Sequence, residues 1–269
     1  MKLSVVLIGY NSRQFLSPCL ESVKKQTFKD YEVIFIDNAS KDDSVEFVKE
    51  NYKKIRVIAN KNNTGYVGAA NQGIKSSSGE YVMVLNPDLV LEPDYFAKIV
   101  AKLDKDKKIG AIAGKVLKYD FKKNKPVKTI DTTGLYCYRN RRVIDRGQGL
   151  ADTGQYDTEE EVFGLSGAVP TYRRAALEDT KIQGEYLDRD FFMYKEDIDL
   201  SWRLRLYGWK CYYYPTAVCY HGRGTGVLKR FSHWEVYKGR KHLNRFQKYY
   251  AYKNQRLMQV KNELLANLI

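Results

Sequence analysis

Four short apolar runs, each closed by a polar, turn-forming cluster and separated from the next by a helical pattern, fill the first 88 residues and restrict the chain to few architectures. Leu3 to Ile8 ends in Gly9-Tyr10-Asn11-Ser12, and Tyr31 to Ile36 ends in Asp37-Asn38-Ala39-Ser40. Ile55 to Ala59 ends in the Asn60 to Gly65 turn, and Tyr81 to Leu85 ends in Asn86-Pro87-Asp88. The short, continuous apolar run of Leu3 to Ile8 suits a strand buried on both faces, and the other three read as strands after it. Helical patterns over about 12–26, 42–51 and 67–75 lie between them. Strands alternating with helices predict a mostly parallel sheet flanked by helices. Such sheets bind ligands beyond the carboxyl ends of their strands, where Tyr10, Asn11, Asp37, Asn38, Asn63 and Asp88 fall.

Beyond this half, Pro93 opens a helix to about Asp104, and Ile109 to Leu117 reads as a further strand. From Lys118 to Glu161 the pattern weakens into charged clusters, glycines and short aromatic runs, expected to be loops with a small antiparallel excursion on an acceptor side. Gly164 and Gly167 then bracket small residues, as where a backbone or ligand comes close. Val169 to Tyr172 is expected as a strand and Arg173 to Glu178 as a helix. Lys210 to Tyr214 and Ala217 to Tyr220 read as two strands ending at His221.

Between these pieces lies FFMYKEDIDLSWRLRLYGW, Phe191 to Trp209, where Glu196, Asp197 and Asp199 interrupt an aromatic and aliphatic run. A helix starting near Glu196 would place Ile198, Trp202, Leu206 and Trp209 on one buried stripe, with Arg203 and Arg205 off it. The carboxylates then occupy the first turn, where amide dipoles favour negative charge and keep an aspartate ionised. Such a group suits the acceptance of a proton from an attacking hydroxyl, or it only caps the helix.

Other strand-end groups carry similar alternatives. Asp88 can bind a divalent cation bridging a diphosphate, or belong to a plain Asn-Pro-Asp turn. Asp37 can accept from a base imide or a ribose hydroxyl, or cap a helix. His221 can ligate the same cation or contact phosphate, or be structural. Gly65, Gly68 and Gly73 leave room for backbone to approach a ligand.

A chain of 269 residues with 43% apolar content can bury a full core. No apolar run approaches the ~20 residues that cross a bilayer, and the six apolar residues before Gly9 are too few for a secretion signal. A cytoplasmic location is expected, at most peripheral on the inner face of the membrane. Cys19, Cys137, Cys211 and Cys219 show neither metal-ligand nor disulfide spacing. The net charge of +14 calls for an anionic partner. No nucleic-acid motif accompanies that charge, so nucleic acid is not expected.

Seven segments, VVLIGYNS, VIFIDNASKDDS, NNTGYVGAANQGI, YVMVLNPD, FGLSGAV, FFMYKEDIDLSWRLRLYGW and YPTAVCYHGRGTG, run in order over Leu3 to Gly226. In this the chain resembles the inverting GT-A glycosyltransferases, a family that includes cellulose, chitin and hyaluronan synthases and many bacterial rhamnosyltransferases. The resemblance implies an α/β GT-A fold with a nucleotide-sugar-binding half over 1–117 and an acceptor and catalytic half over 118–226. Tyr10, Asn11, Asp37, Asn38, Asn63, Gly65, Asn71, Asn86 and Asp88 are implied at the donor, with Asp37 near the base. Asp88 takes the metal position for Mg²⁺ or Mn²⁺, and His221 joins it, although Asn86 stands where many members have a first aspartate. Asp197 is implied as catalytic base, with Glu196, Asp199, Gly167 and Trp202 supporting it or binding acceptor. The implied reaction is one in-line displacement, with inversion, onto a saccharide or lipid-linked glycan. The Asn-Pro-Asp and NNTGYVGAANQGI variants look like rhamnosyltransferases, which favours dTDP-rhamnose as donor over a UDP-sugar. The same fold acting only as a nucleotide- or carbohydrate-binding module is the competing reading, disfavoured by intact Asp88, Asp197 and His221.

Residues 227–269 hold ten Lys or Arg against two Glu. Phe246, Tyr250, Leu257, Val260, Leu264 and Leu268 recur at helical spacing among them. This tail fits a basic amphipathic helix on an anionic membrane surface, or equally one packed on the domain or on a dimer partner.

Overall fold

The structure, a computed structural model, describes residues 1–222 and 244–263. The expected domain boundary at 226–227, and Leu264 and Leu268 of the tail, lie outside the described residues. Strands β1 (Leu3–Gly9), β2 (Tyr31–Asp37), β3 (Arg56–Ala59) and β4 (Tyr81–Leu85) alternate with helices α1 (Arg13–Lys24), α2 (Ser44–Asn51) and α3 (Gly65–Ser76). All four strands are parallel, and their registers place Gly9 opposite Asp37 and Asp37 opposite Ala59. The polar clusters after them therefore share one sheet edge. Both faces of β1, β4 and most of β2 are buried, whereas β3, at the end of the sheet, has none of its four residues buried. Val6, Ile8, Ile34, Ile36, Val82 and Val84 face α3, while Val5, Leu7, Phe35, Met83 and Leu85 face α1 and α4 (Tyr95–Lys105).

Past β4 the sheet becomes mixed. A three-residue strand, β5 (Leu89–Leu91), follows the Asn-Pro-Asp turn. The strand expected over Ile109 to Leu117 is β6 (Ile109–Asp120), three residues longer, and the stretch after it, expected as loops with a small antiparallel excursion, holds β7 (Lys125–Thr132), the hairpin β8 (Leu135–Cys137) and β9 (Val143–Asp145), and β10 (Glu160–Val162). Strand β11 (Thr171–Arg173) inserts antiparallel between β4 and β6, and α5 (Arg174–Asp179) follows it. Ahead of β11 the pairing continues, with Val84 N–H donating to Pro170 O at 3.0 Å and Asn86 N–H to Ala168 O at 3.0 Å. Residues from the second half are thereby carried to the carboxyl end of β4.

The two strands expected near Tyr214 and Ala217 are one, β12 (Lys210–His221), with a register shift between Tyr214 and Val218. Gly114 of β6 admits that irregularity, because a Cβ there would collide with the Ala217 carbonyl. Strand β12 pairs with both β5 and β6, and sets His221 opposite Leu89, next to Asp88.

Helix α6 (Glu196–Leu206) begins where expected, but its buried face differs from the predicted stripe. Arg203 is buried, bonding Asp199 through Nε at 2.9 Å, Tyr186 O through Nη2 at 3.0 Å, and Thr180 O. Leu206 instead is 61% exposed. The inversion has a physical cause: two unpaired carbonyls and a buried carboxylate lie on the inner side, and a guanidinium satisfies all three while leucine satisfies none.

The C-terminal helix α7 (Arg245–Asn262) starts with a capping box between Asn244 and Gln247 and packs against α6 and the segment before it. Of the expectations for the tail, packing on the domain is what the described residues show. Met258 and Asn254 are fully buried, Phe192 stacks on Tyr250 at 5.1 Å, and Lys261 pairs with Asp188. Tyr249, Tyr252 and Val260 face outward. No helix among the described residues is long and apolar enough to cross a membrane.

Candidate active site

Two carboxylates lead α6, and their surroundings differ. Asp197 is half-buried and accepts from Gly167 N–H at 2.9 Å and from Ile198 N–H at 2.8 Å. Gly167 is itself fixed, since its carbonyl accepts from Tyr66 Oη at 2.7 Å. The pair of bracketing glycines noted in the sequence thus serves the carboxylate directly. Burial lifts Asp197 above the ordinary aspartate range, the bond from Gly167 pulls it back, and Asp145 on β9 adds an upward push. Glu196 is 7% exposed, and its Oε2 has no hydrogen-bond partner among the described residues. Burial and then the neighbouring Asp197 push Glu196 up to about 8. Amide dipoles were expected to keep an aspartate of this turn ionised; burial acts against charge on both acids, and Glu196, without a backbone N–H from Gly167, is pushed up to about 8.

A stability consequence follows. Folded Glu196 holds its proton to about 8, whereas the unfolded chain releases it near 4.5, so the folded state binds more protons in between. Stability is expected to fall as pH rises from about 4.5 through about 8. Glu196→Gln should flatten that decline in a series of melting temperatures against pH; an unchanged slope would show that Glu196 is not the group held neutral.

Asp199, expected to support the base or help bind acceptor, points to another side of the helix from Asp197. Two residues along a helix turn it by about 200°, and Asp199, fully buried, accepts from Arg203 and from Asn262 Nδ2 at 2.8 Å on the α7 side. Trp202 is buried against Phe163, ring centroids 5.8 Å apart, and supports the helix from within.

At the donor edge, Tyr10 is 51% exposed, and Asn11 adopts φ 48° while its Oδ1 accepts from Lys41 N–H at 2.8 Å. Asp37, 2% exposed, accepts from Ser40 N–H at 3.0 Å and from Ser40 Oγ, shaping the loop after β2. Three residues expected to touch donor are used within the protein. Asn38 donates to Asn63 Oδ1 and Gly65 O, and accepts from Thr64. Asn71 binds the backbone of Tyr186 and Leu187. Gly65, at φ 75°, lies under Phe192, and a Cβ at Gly68 or Gly73 would meet Thr64 or Val6, so packing within the protein accounts for all three glycines. Asn63 is exposed and Asn86 half-buried at the same edge.

Asp88 and His221 are together. His221 Nε2 lies 3.2 Å from Asp88 Oδ1, and Nδ1 lies 2.8 Å from Asp131 Oδ2 on β7, whose residue is 1% exposed. Burial opposes charge on this imidazole, but the bonds to Asp131 and Asp88 outweigh it and lift the ring to about 9. Asp131 is the residue sequence reading missed. A carboxylate behind one ring nitrogen, with the other aimed at a second carboxylate, is the donor set of a His-plus-Asp cation site. No group of three or more His, Cys, Asp or Glu that could hold a metal ion occurs among the described residues. Mg²⁺ and Mn²⁺ need none, since one or two protein ligands plus phosphate oxygens suffice. The residues therefore fit such an ion, provided the ring gives up its proton.

Asp197 is tied to the carboxyl end of β4, two residues before Asp88: Asn86 N–H bonds Ala168 O, and the N–H of the next residue back, Gly167, bonds Asp197. Residues 4–180 match the family described as Glycosyl transferase family 2. The chain belongs to glycosyltransferase family 2. A poly-β-1,6-N-acetyl-D-glucosamine synthase of Staphylococcus epidermidis is 30% identical to this glycosyltransferase over 223 residues, covering 81% of the chain and 49% of that protein. One from Staphylococcus aureus strain COL is likewise 30% identical over the same length. The chain spans about half the length of these curated relatives, 49%. Among solved structures, S. aureus TarS 1-349 in complex with UDP-GlcNAc has a TM-score of 0.61 at 20% identity, covering 98% of this chain and 68% of that one. GalNAc-T7 with UDP, GalNAc and Mn²⁺ has a TM-score of 0.67 at 17% identity over 84% of this chain and 45% of that one. A Pyrobaculum calidifontis mannosyltransferase with GDP-Man and Mn²⁺ has a TM-score of 0.60 at 17% identity, covering 97% and 70%. These identities speak for the GT-A fold. The family match ends at residue 180, so Glu196 and Asp197 stand beyond it.

Proposed function

We propose that this glycosyltransferase moves N-acetylglucosamine, with inversion, from its UDP conjugate to a saccharide or lipid-linked saccharide acceptor of a cell-surface polysaccharide, with Asp197 as general base. The observation carrying the base assignment is the contrast at the head of α6: Asp197 keeps two backbone N–H bonds and partial exposure, while Glu196 is buried with one oxygen that has no partner among the described residues. A charged carboxylate held by fixed N–H groups can take the acceptor hydroxyl proton as that oxygen attacks the anomeric carbon and the bond to the diphosphate breaks on the opposite side. Asp88 and His221 would hold a divalent cation, with Asp131 orienting the ring. When bound, that ion offsets charge on the departing diphosphate. The donor choice is supported by the names of the 30% identical synthases and by the UDP-GlcNAc complex of a protein of the same fold. Nothing in these likenesses favours the dTDP-rhamnose expected from the strand-end motifs.

Thermal unfolding in Mn²⁺ with UDP-GlcNAc, UDP-glucose, GDP-mannose and dTDP-rhamnose tests the donor. At 100 times its dissociation constant, a bound donor adds about 2.7 kcal/mol of stability. UDP-GlcNAc should give the largest rise in Tm; a larger rise with dTDP-rhamnose would overturn the donor, and no rise with any of the four would overturn the reading.

A further inference from the structure

The backbone leading into the two carboxylates is held in an unusual conformation. Phe192, Tyr194 and Lys195, none of them glycine, have φ of 58°, 69° and 70°. Side-chain-bearing residues stay in that region only where their surroundings hold them. One helix supplies much of the hold. Asn254 of α7, fully buried, donates through Nδ2 to the carbonyls of Phe191, Met193 and Tyr194, each at 2.8 Å. An amide has two N–H groups, so three acceptors share them. Its Oδ1 has no hydrogen-bond partner among the described residues, so the donor half alone is used. A leucine would fill the same space and leave three carbonyls unbonded.

The braced segment connects both halves of the site. Val67 N–H of α3 donates to Phe192 O at 3.1 Å, and the Phe192 ring lies over Gly65 on the donor side. One turn into α6, Asn262 and Lys261 of α7 hold Asp199, with Lys261 Nζ at 3.3 Å. Asp197 lies between these two anchors, and its distance from Gly167 N–H depends on both.

We infer that Asn254 is a positioning residue for sugar transfer: by fixing the carbonyls of Phe191, Met193 and Tyr194 it sets the Asp197 carboxylate against the Gly167 N–H, so that α7 completes the catalytic site. This rests on the reading of Asp197 as base. Displacing a reacting group by about 1 Å can cost 10²-fold, whereas the donor edge lies on other elements. Loss of the brace should therefore lower kcat and spare donor KM.

The test uses the full chain carrying Asn254→Leu, beside Asp197→Asn, with UDP release from UDP-GlcNAc as the rate and backbone hydrogen exchange as a readout independent of activity. The expected result for Asn254→Leu is a kcat about 10- to 100-fold lower, donor KM within about twofold, and faster exchange at Gly167 and Ile198. Since the Gly167 bond lowers the Asp197 pKa, the acid limb of kcat should also move to higher pH. An unchanged kcat together with unchanged exchange at Gly167, while Asp197→Asn is inactive, would overturn this proposal alone. Full activity in Asp197→Asn would overturn the base reading and the proposal with it. If Asn254→Leu fails to fold, Asn254→Ser, smaller and still able to donate once, takes the same measurements with the same two outcomes.

Discussion

Asp197→Asn is expected to lower sugar transfer by about 10²- to 10⁴-fold, the usual range for a lost general base, while nucleotide affinity stays within a few-fold. The side chains match in shape, and the amide oxygen can still accept from one of the two backbone N–H groups, so the loss falls on proton transfer. The paired expectation for Glu196→Gln sharpens the assignment. If Glu196 is held neutral, as its burial and the adjacent Asp197 imply, glutamine reproduces its protonated form, and transfer should fall by less than about tenfold, far from the range of a lost base. Initial rates for both variants at neutral pH decide between the two acids. Equal losses would mean they act as one unit sharing a proton, and a larger loss at Glu196 would move the base there.

The donor edge was legible because strands buried on both faces leave an unbroken apolar run, and the polar residues that end such a run all emerge at the same side of a parallel sheet. Asp88, Asp197, Gly167 and His221 were candidates from that pattern and the motif order together, and the structure sets Asp88 beside His221 and Gly167 beside Asp197. Asp131 was not, for a physical reason. It closes a strand whose outer half is exposed and lysine-rich, so Lys125 to Thr129 carry no apolar period, and only the last three residues of β7 are buried. Arg203 was misplaced because a charged residue enters a core only when partners from distant parts of the chain are present, here Asp199, Thr180 O and Tyr186 O. Asn254 gave no signal at all. A polar residue in mid-helix reads as surface until the carbonyls it meets are known, and those arise from a backbone shape that local sequence does not encode. Residues with positive φ cost about 1–3 kcal/mol each, and three of them stand in succession before the base with only Met193 between. Their cost is offset by α7 and by the contact of Phe192 with α3, which explains why the site needs a helix more than fifty residues downstream.

The second large effect is expected at the other end of the site, where Asp88→Ala should weaken UDP binding by 10-fold or more with Mn²⁺ present and change it little after chelation. With alanine at 88, His221 Nε2 loses the carboxylate 3.2 Å away, and a cation there retains one protein ligand. Asp131→Asn isolates the group behind the ring. Asp131 stands on the far side of the ring from Asp88, and its 2.8 Å contact with His221 Nδ1 fixes which nitrogen faces Asp88. Removing such a partner commonly lowers metal affinity by about 10- to 100-fold, so titrations of UDP against the Asp131 variant should show the loss only with the ion present. Calorimetry of both variants with and without Mn²⁺ separates this from direct contact. A loss that is the same in chelator would mean that the imidazolium bonded to Asp131 meets the diphosphate itself, and Asp88 would then have no part in holding an ion.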